Sequence, residues 1–385
     1  MAISEPKSKL LITSRCAQTI STQRIHLARF ASEKGWGVYL AGEQNSDVAV
    51  QSLRREKFSF DAVRVEQGSL NPISVMRLVF EYCCLIKIHR PSVFHAFTIK
   101  PIIAGLLAAS FCRVPVRVAT VAGLGHVFLS SSVFVRFMAI ILFRISFLGA
   151  HLVYFYNEAD RDEFIRKAIL PASKAKLIAG SGLDTARFPA RKLPNHSTLS
   201  VAFVGRLLRE KGVPELLAAM RLLRMNQVPV ILHLIGDTDE NNPSAIPRAE
   251  IENAVAEGLI VWHGHVSNVS ELLAAADIVI LPSHREGIPM SLLEGGAMGR
   301  ALIATDVPGC RDVVKNGTTG LLVQPNDSQA IADAILLLAN DRNLLNKMGG
   351  AARGDVVARF DTAVVNDLVL QSYEELAVSV RSKIR

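Results

Sequence analysis

Two glutamates in one short segment, residues 281–294, have the types and spacing of a group-transfer site. An apolar run predicts a buried strand that ends directly before the segment, and Pro289 suits the first position of a helix because no amide hydrogen is needed there. Glu286 then lies in the loop and Glu294 about one and a half turns inside the helix. The two carboxylates can therefore contact different parts of one ligand. A capped surface helix with two solvated glutamates is the competing interpretation.

A second loop supplies positive charge. Residues 204–212 follow another predicted strand and contain Arg206 and Lys211, which are placed to close on one phosphate group. Arginine and lysine form strong charge-assisted bonds with phosphate. The amides of Met290 and Ser291, at the start of the predicted helix, can bind an anion or a sugar hydroxyl. An ordinary basic surface loop is the competing interpretation. The sequence contains neither a Walker A loop nor a Gly-x-Gly-x-x-Gly turn after a strand, so the two common phosphate-binding motifs are absent from it.

Other polar clusters carry less weight. Asp237 and Asp239 resemble a metal-binding pair, but the residues that follow lack the glycine and glutamate of a calcium loop. His263 and His265 have no evident third ligand, so the sequence predicts no metal site. No Gly-x-Ser-x-Gly elbow occurs, and aromatic residues make up only 6% of the chain without a basic-aromatic platform. A hydrolase and a nucleic-acid partner are therefore disfavoured.

Short apolar runs rich in Val, Ile and Phe alternate with amphipathic segments, which is the pattern of parallel α/β units. The predicted strands are residues 10–13, 38–41, 62–65, 93–97, 116–120, 152–155, 176–178, 199–204, 230–235, 259–263, 278–282, 301–305 and 320–323. A chain of 385 residues is about twice the usual size of one domain. We therefore expect two doubly wound, Rossmann-like α/β domains that face a central cleft, with the chemistry at the carboxyl ends of the strands.

The alternating pattern lapses at residues 185–197, which predicts a linker between a first domain, 1–184, and a second domain, 198–360. An apolar helix within 361–385 follows the last unit of the second domain and is placed to pack back on the first. The five cysteines are odd in number and form no C-x-x-C pair, which disfavours a structural zinc site and a disulfide framework. The N-terminus lacks the apolar stretch of a signal peptide, so we expect a cytoplasmic protein.

The positive charge is confined to one half of the chain. Residues 1–190 contain 24 Lys and Arg against 13 Asp and Glu, whereas residues 191–385 contain 19 against 22. No acidic residue occurs between Glu81 and Glu158. The first half is therefore predicted to meet something anionic, such as a phosphate group or a membrane surface.

The most apolar stretch, residues 127–156, is interrupted by Arg136 and Arg144, which leave only seven residues between them. That length is too short for a membrane span, which needs about 20 apolar residues. A buried crossover helix is one interpretation. The other is a helix in the membrane interface, with its arginines on anionic head groups and an apolar face toward the acyl chains. That face would contain Phe134, Phe137, Ile141 and Phe147. The acid-free surroundings favour the interface.

Taken together, these segments resemble the retaining glycosyltransferases of family 4, which have the GT-B fold. Glu286 and Glu294 carry the Glu-x7-Glu motif, and Arg206 and Lys211 the paired basic loop. Stretches 264–273, 275–283 and 304–312 are similar to the family's donor domain. Stretches 95–101, 123–128, 156–161 and 180–184 are similar to the branch that builds capsule and O-antigen glycans on polyprenyl diphosphate. The resemblance spans nearly the whole chain.

The resemblance implies a role for each matching residue. Glu286 would lie by the donor sugar, Glu294 would hold the ribose hydroxyls, and Arg206 and Lys211 would neutralise the leaving diphosphate. The remaining donor-side residues implied are Gly205, His265, Gly287, Ile288, Met290 and Ser291. On the acceptor side the implied residues are His95, Lys100, Gly123, His126 and Asn157. The family works without a metal, so no cofactor is expected.

The expected reaction is transfer of a sugar from a nucleotide donor, a UDP-sugar, with retention of configuration. The acceptor would be a polyprenyl-diphosphate-linked saccharide, and the protein would lie peripherally on the anionic inner face of the plasma membrane. An enzyme with a soluble sugar or sugar-phosphate acceptor is the nearest alternative. A UDP-sugar epimerase has no evident use for the two glutamates. A non-catalytic nucleotide-sugar-binding regulator would keep Arg206 and Lys211 but would not need Glu286.

Overall fold

A computed structural model describes residues 8–65, 72–123, 133–194, 198–239 and 242–384 of the chain. These residues form two compact units, one of Met1–Gly182 with Thr362–Arg385 and the other of Leu183–Asp361. Residues 185–197, which the sequence predicts to be a linker, are part of the second unit. There Thr185 Oγ1 donates a hydrogen bond to Asp361 Oδ2 at 2.5 Å, which ties the start of the unit to its end.

The first unit is built on a seven-stranded parallel sheet in the order β3-β2-β1-β4-β5-β6-β7. Its strands are β1 (Lys9–Cys16), β2 (Gly37–Glu43), β3 (Ser59–Ala62), β4 (Val93–Phe97), β5 (Val116–Val121), β6 (Leu152–Phe155) and β7 (Ala175–Leu177). Its helices are α1 (Ile25–Glu33), α2 (Asp47–Arg55), α3 (Pro72–His89), α4 (Ile99–Phe111), α5 (Val133–Leu148), α6 (Glu158–Arg166) and the C-terminal α14 (Thr362–Ile384). A short helical turn, Ala17–Thr19, and a π-helical turn, Ile20–Arg24, join β1 to α1.

The second unit is built on a six-stranded parallel sheet in the order β10-β9-β8-β11-β12-β13. Its strands are β8 (Leu199–Val204), β9 (Val230–Ile235), β10 (Ile260–Gly264), β11 (Ile278–Leu281), β12 (Ala301–Thr305) and β13 (Gly320–Val323). Its helices are α7 (Val213–Met225), α8 (Arg248–Ala256), α9 (Ser270–Ala275), α10 (Met290–Ala297), α11 (Cys310–Val313), α12 (Ser328–Asn340) and α13 (Arg342–Phe360).

The prediction of two doubly wound α/β domains is confirmed. Central strands of parallel sheets are buried on both faces and therefore read as continuous apolar runs, which explains why β4, β6, β8, β9 and β12 begin and end as predicted. The largest shift is at the edge strand β3: the apolar signal at 62–65 comes from Val63 and Val65, which are core residues that follow the strand. The strand itself is only partly buried and precedes them.

Helix α5 has one buried and one exposed apolar face. Phe143 and Phe147 are buried in the core of the first unit, so the prediction that Phe147 faces lipid is wrong. Arg144 donates to the carbonyls of Lys167 and Ala168. Exposed apolar side chains nevertheless remain on the same helix, at Phe137, Ile145 and Leu148. No helix among the described residues is both long enough and apolar enough to cross a membrane.

Both sheets reverse their strand order at an equivalent place, between β1 and β4 in the first and between β8 and β11 in the second. In open α/β sheets, loops at the carboxyl ends of the strands splay apart at such a reversal and leave a crevice for a ligand. The fold therefore provides one candidate binding edge in each unit.

Candidate functional site

The loops that follow β8 and β11 contact each other closely at the reversal point of the second sheet. Gly212 has a φ of +73°, and a Cβ on it would lie 2.0 Å from the carbonyl oxygen of Pro282. No side chain fits that approach, and the left-handed conformation also favours glycine. The amide of His284 in turn donates to the carbonyl of Glu210 at 2.9 Å. These contacts hold the basic loop against the loop that carries Glu286.

A third loop, after the neighbouring strand β12, supports Glu286 from the other side. The Glu286 amide donates to the carbonyl of Pro308 at 3.3 Å. Gly309 has a φ of +83°, and a Cβ on it would lie 2.5 Å from the carbonyl oxygen of Glu286. Two glycines, one in each flanking loop, therefore fix the backbone on which Glu286 stands.

Lys211 and Glu286 form the central contact of the site. Lys211 Nζ lies 2.5 Å from Glu286 Oε1, and the Oγ of Ser283 donates to the same oxygen at 2.6 Å. The side chain of Glu286 is 12% exposed and that of Lys211 is 23% exposed. The carboxylate is thus positioned by two donors and still reaches the solvent at the edge of the sheet.

These groups open onto a hollow of about 700 Å³, counted with the open solvent at its mouth. It is lined by Val204, Lys211, Leu281, Glu286, Ile288, Pro289, Met290, Ser291 and Glu294. The structure therefore brings six of the sequence-predicted donor-side residues to one cavity. Helix α10 begins at Met290, so Pro289 is its N-cap residue and not its first helical residue. The first amides of α10 have no partner within the helix, and they remain available to a ligand.

Glu294, inside α10, has an unusual electrostatic environment. Burial raises the pKa of its carboxyl from the usual 4.5 to about 7, and the positive charge of Arg187 opposes that rise. Burial disfavours the charged carboxylate because the surrounding protein solvates it less well than water. Glu294 is therefore close to half protonated at neutral pH, and a hydrogen-bond donor brought by a ligand would favour its charged form.

Two glycines after Glu294, Gly295 and Gly296, have a packing role. A Cβ on Gly295 would lie 2.5 Å from the side chain of Val279 in β11, and one on Gly296 would lie 3.0 Å from Val356 in α13. Close approach of the helix to the sheet and to α13 requires glycine at both positions. This packing keeps Glu294 close to the end of β11.

The other predicted donor-side residues lie outside the cavity lining. The side chain of Arg206 is 62% exposed, and its Nη1 lies 3.3 Å from Asp239 Oδ2. The two cations predicted to close on one phosphate therefore have separate carboxylate partners in this structure. Gly205 and Gly287 contribute backbone next to the cavity loops, and His265 is exposed after β10.

The histidines and aspartates near β9 and β10 show no metal-like arrangement. His233 Nδ1 and His263 Nε2 are 2.9 Å apart with their rings stacked, and the Thr238 amide donates to Asp237. Within the described ranges, no three His, Cys, Asp or Glu side chains are grouped to hold a metal ion.

The acceptor-side residues occupy different places in the first unit. His95 is buried, with Nδ1 2.5 Å from Tyr373 Oη and Nε2 2.7 Å from Thr120 Oγ1. Burial and the charge of Arg24 hold the pKa of His95 well below its usual range, so this histidine is neutral. Both of its nitrogens are bonded within the protein, so a ligand that contacts its polar atoms would have to compete with Tyr373 or Thr120.

The remaining acceptor-side residues are separate from His95. Asn157 is the buried N-cap of α6 and bonds Asp160 through both its oxygen and its nitrogen. Lys100 lies in the first turn of α4, and Gly123 follows β5 near Asp160. His126 lies outside the described residues.

Both sheets have the Rossmann strand order, and the second carries a lysine–glutamate pair and a further glutamate at its reversal, so the protein has two doubly wound units with a polar cavity in the second. Family models agree for both units: one described as "Glycosyl transferases group 1" matches residues 184–355, and one described as "Glycosyl transferase 4-like" matches residues 14–157. The two models together match most of the chain, which is a glycosyltransferase of the GT-B fold with units similar to those of the family 4 enzymes.

Curated relatives align with most of the chain. It is 28% identical over 349 residues to the N,N'-diacetylbacillosaminyl-diphospho-undecaprenol alpha-1,3-N-acetylgalactosaminyltransferase of Campylobacter jejuni, covering 87% of this chain and 90% of that protein. It is 24% identical over 303 residues to the capsular polysaccharide biosynthesis glycosyltransferase CapM of Staphylococcus aureus, covering 76% and 79%. The crystal structure of Anabaena HepE in complex with UDP and glucose matches with a TM-score of 0.75 at 19% identity, covering 96% of this chain and 100% of that one.

Three features of the sites escaped sequence reasoning. Ser283 donates to the carboxylate of Glu286, although the short polar segment after β11 gave no reason to prefer it over its neighbours. Gly212 and Gly309 act through contacts between loops that are far apart in the sequence. Glycine directly after a strand-end loop is the one signal that could have pointed to them.

Proposed function

We propose that the protein transfers a sugar from a UDP-sugar to a polyprenyl-diphosphate-linked saccharide, with retention of configuration, in the synthesis of a bacterial surface polysaccharide. The hollow that joins Lys211, Glu286 and Glu294 carries this proposal. The names of the Campylobacter and Staphylococcus relatives support the acceptor class and the pathway. The UDP complex of Anabaena HepE, a protein of the same fold, supports the donor nucleotide.

In the proposed donor complex, each residue of the hollow contacts a different part of the UDP-sugar. Glu294 accepts hydrogen bonds from the ribose hydroxyls, and Glu286 contacts the sugar. The amides at the start of α10 bind sugar and phosphate oxygens. Lys211 moves from Glu286 to the diphosphate, and Arg206 approaches it from the exposed side of the same loop.

The rate advantage would come from charge. When the bond between the sugar and the diphosphate breaks, negative charge grows on the leaving group, and cations that are already in place stabilise that state more than the ground state. Lys211 and Arg206 supply these cations, so we propose that the reaction needs no metal ion or other cofactor. One carbon–oxygen bond replaces another, and no electron transfer is involved.

The first unit would bind the acceptor and the membrane. Its excess of positive charge is attracted to anionic lipid, with about 1 kcal/mol per well-placed Lys or Arg. Helix α3 exposes Ile73, Met76 and Phe80, and α5 exposes Phe137 and Leu148. We therefore propose a peripheral position on the inner face of the plasma membrane.

The first test of the proposal is the replacement Glu286→Gln. It keeps the volume of the side chain but removes its charge, and sugar transfer should be lost while the protein stays folded. A panel of nucleotide sugars is incubated with the protein and a lipid-diphosphate-linked saccharide, and nucleotide release and product are measured by mass spectrometry. The exposed Glu271→Gln is the matched control and should transfer normally.

The outcomes of this test separate the alternatives. Normal transfer by the Glu286→Gln variant would refute the site. Transfer only to a soluble sugar or sugar phosphate, without binding to anionic vesicles, would refute the acceptor class. Binding of a nucleotide sugar with neither transfer nor slow hydrolysis would indicate a regulator in place of an enzyme.

A further inference from the structure

The first unit buries a cation that has no acidic partner among the residues that the structure describes. Arg24 is 3% exposed and lies at the end of the π-helical turn that precedes α1. Its Nη1 donates to Tyr156 Oη at 2.7 Å, and its Nη2 donates to Gln23 Oε1 at 3.3 Å. Its guanidinium carbon stands 4.2 Å from the centre of the Phe97 ring. Its Nε is fully buried and has no hydrogen-bond acceptor among the described residues.

This arrangement is unfavourable for folding alone. A buried charge is costly unless a counter-charge and a full set of hydrogen bonds compensate for it. The groups that contact Arg24 are a phenol, an amide and an aromatic ring, and nearby His95 is neutral because burial and Arg24 itself lower its pKa. A guanidinium held in this way retains most of its attraction for an anion.

Arg24 opens onto a narrow hollow of about 300 Å³, counted with the open solvent at its mouth. No Asp or Glu is among the described residues that line it. The backbone of Gly180 and Ser181 contributes polar groups, whereas Leu27, Val365 and Val369 form an apolar side. The hollow therefore combines one cation with an apolar wall.

The position of this hollow in the fold also indicates ligand binding. Gln23 and Arg24 follow β1, and His95 and Phe97 belong to β4, so the hollow lies where the strand order of the first sheet reverses. The π-helical turn that holds Arg24 is a rare conformation that occurs frequently at functional sites.

We propose that Arg24 is the anchor of a phosphate-binding site in the first unit, and that its ligand is the diphosphate of the lipid-linked acceptor. The identity of the ligand rests on the function proposed above, whereas the anion site rests on the geometry of Arg24. An arginine can bond a phosphate through two nitrogens, and the hydrogen-bonding capacity of Arg24 is incompletely used among the described residues. The apolar wall would contact the first carbons of the lipid.

The test compares Arg24→Met with Arg29→Met, which removes one positive charge from an exposed ion pair on α1. Saturating UDP first fills the donor site, and inorganic pyrophosphate and farnesyl diphosphate are then titrated by calorimetry. Farnesyl diphosphate should bind the unchanged protein and the Arg29→Met variant more tightly than pyrophosphate does. Arg24→Met should weaken farnesyl diphosphate binding about ten- to a hundredfold, as expected for a lost charge-assisted bond.

The melting temperature of the variant shows whether Arg24 serves ligand binding or the stability of the fold. The melting temperature of ligand-free Arg24→Met should be at least that of the unchanged protein, because an uncompensated buried charge is gone. A lower melting temperature together with unchanged diphosphate affinity would overturn the proposal. If the methionine variant does not fold, Arg24→Gln, which also removes the charge but keeps a polar side chain, decides: unchanged affinity there would also overturn it.

Two further outcomes concern the source of the ligand and the enzyme function. Equal affinity for pyrophosphate and farnesyl diphosphate would assign the site to a free anion and overturn the acceptor assignment. Failure of the proposed function would look different, because no donor would be turned over while Arg24-dependent diphosphate binding remained.

Discussion

The two sheets have the same strand order and the same reversal point, yet the cations beside those points have opposite surroundings. Lys211 in the second unit is 2.5 Å from the carboxylate of Glu286, and both side chains reach solvent. Arg24 in the first unit is 3% exposed, and its hydrogen-bond and ring partners within the described part of the chain are neutral. One topology thus offers an anion site twice, and the local side chains decide whether that site is ion-paired or open.

This contrast has a consequence for binding. A phosphate that enters the second unit must displace Glu286 from Lys211, so part of the new interaction replaces an old one, and the leaving nucleotide can be released when the ion pair forms again. A phosphate that enters the first unit displaces no carboxylate from Arg24. We expect an exchangeable site in the second unit and a holding site in the first.

The largest expected effect is that of Lys211→Met. It removes the cation that we propose to lie nearest the leaving diphosphate, and the loss of one such contact typically raises the barrier by about 2.7–4 kcal/mol, which is about 10²- to 10³-fold in kcat. Initial rates of nucleotide release measure it, and the exposed Lys347→Met is the control. The same variant should bind farnesyl diphosphate normally, because that ligand is assigned to the first unit.

Either of two results would contradict the proposal that the two units bind different anions. A Lys211→Met enzyme with a normal kcat would remove the donor-site role of Lys211. A Lys211→Met protein that bound farnesyl diphosphate poorly in the presence of UDP would show that both anions use one site.

The sequence predicted the architecture well because parallel strands leave a strong local signal. Buried strands such as β8 and β12 are continuous apolar runs between turn residues, and their bounds follow from that pattern alone. The partly exposed edge strand β3 lacks the pattern, and its prediction shifted onto the core residues that follow it. Helix α5 was also hard to predict. Its apolar side chains indicate burial, but the sequence does not show which face of the helix packs on the core.

The candidate site was predictable where spacing along one segment decides the geometry. Glu286 and Glu294 lie on the loop and helix after β11, and local rules bring both to one hollow. Arg24 was not predictable, because it is one basic residue at the start of an amphipathic helix. Its burial depends on Phe97 and Tyr156, which follow it by dozens of residues. The roles of these residues in catalysis and binding stay predictions.

A smaller effect is expected in the pH dependence of UDP-glucose binding to the second unit. The pKa of Glu294 is about 7, so its carboxyl is mostly neutral at pH 6 and mostly charged at pH 8. Ribose hydroxyls donate to the charged form, and the dissociation constant of UDP-glucose should therefore fall about tenfold from pH 6 to pH 8. Calorimetry at both pH values measures it.

The variant Glu294→Gln sharpens this test because it cannot titrate. It should bind UDP-glucose more weakly than the unchanged protein at pH 8 and show a nearly flat profile between pH 6 and pH 8. Farnesyl diphosphate is assigned to the first unit, so Glu294→Gln should bind it as tightly as the unchanged protein does at each pH. A tenfold pH dependence that survives in Glu294→Gln would assign the titration to another group.

The smallest expected effect is that of Arg206→Ala. Arg206 is 62% exposed, and ion pairs with such exposure contribute up to about 1 kcal/mol, which is at most about fivefold in the dissociation constant of UDP-glucose. Salt screens exposed charges, so the effect should shrink further at 1 M salt, whereas that of Lys211→Met should persist. Arg209→Ala, in the same loop, is the control. A loss in Arg206→Ala as large as that in Lys211→Met would contradict the ranking by burial, because it would mean that Arg206 leaves Asp239 and becomes enclosed with the diphosphate.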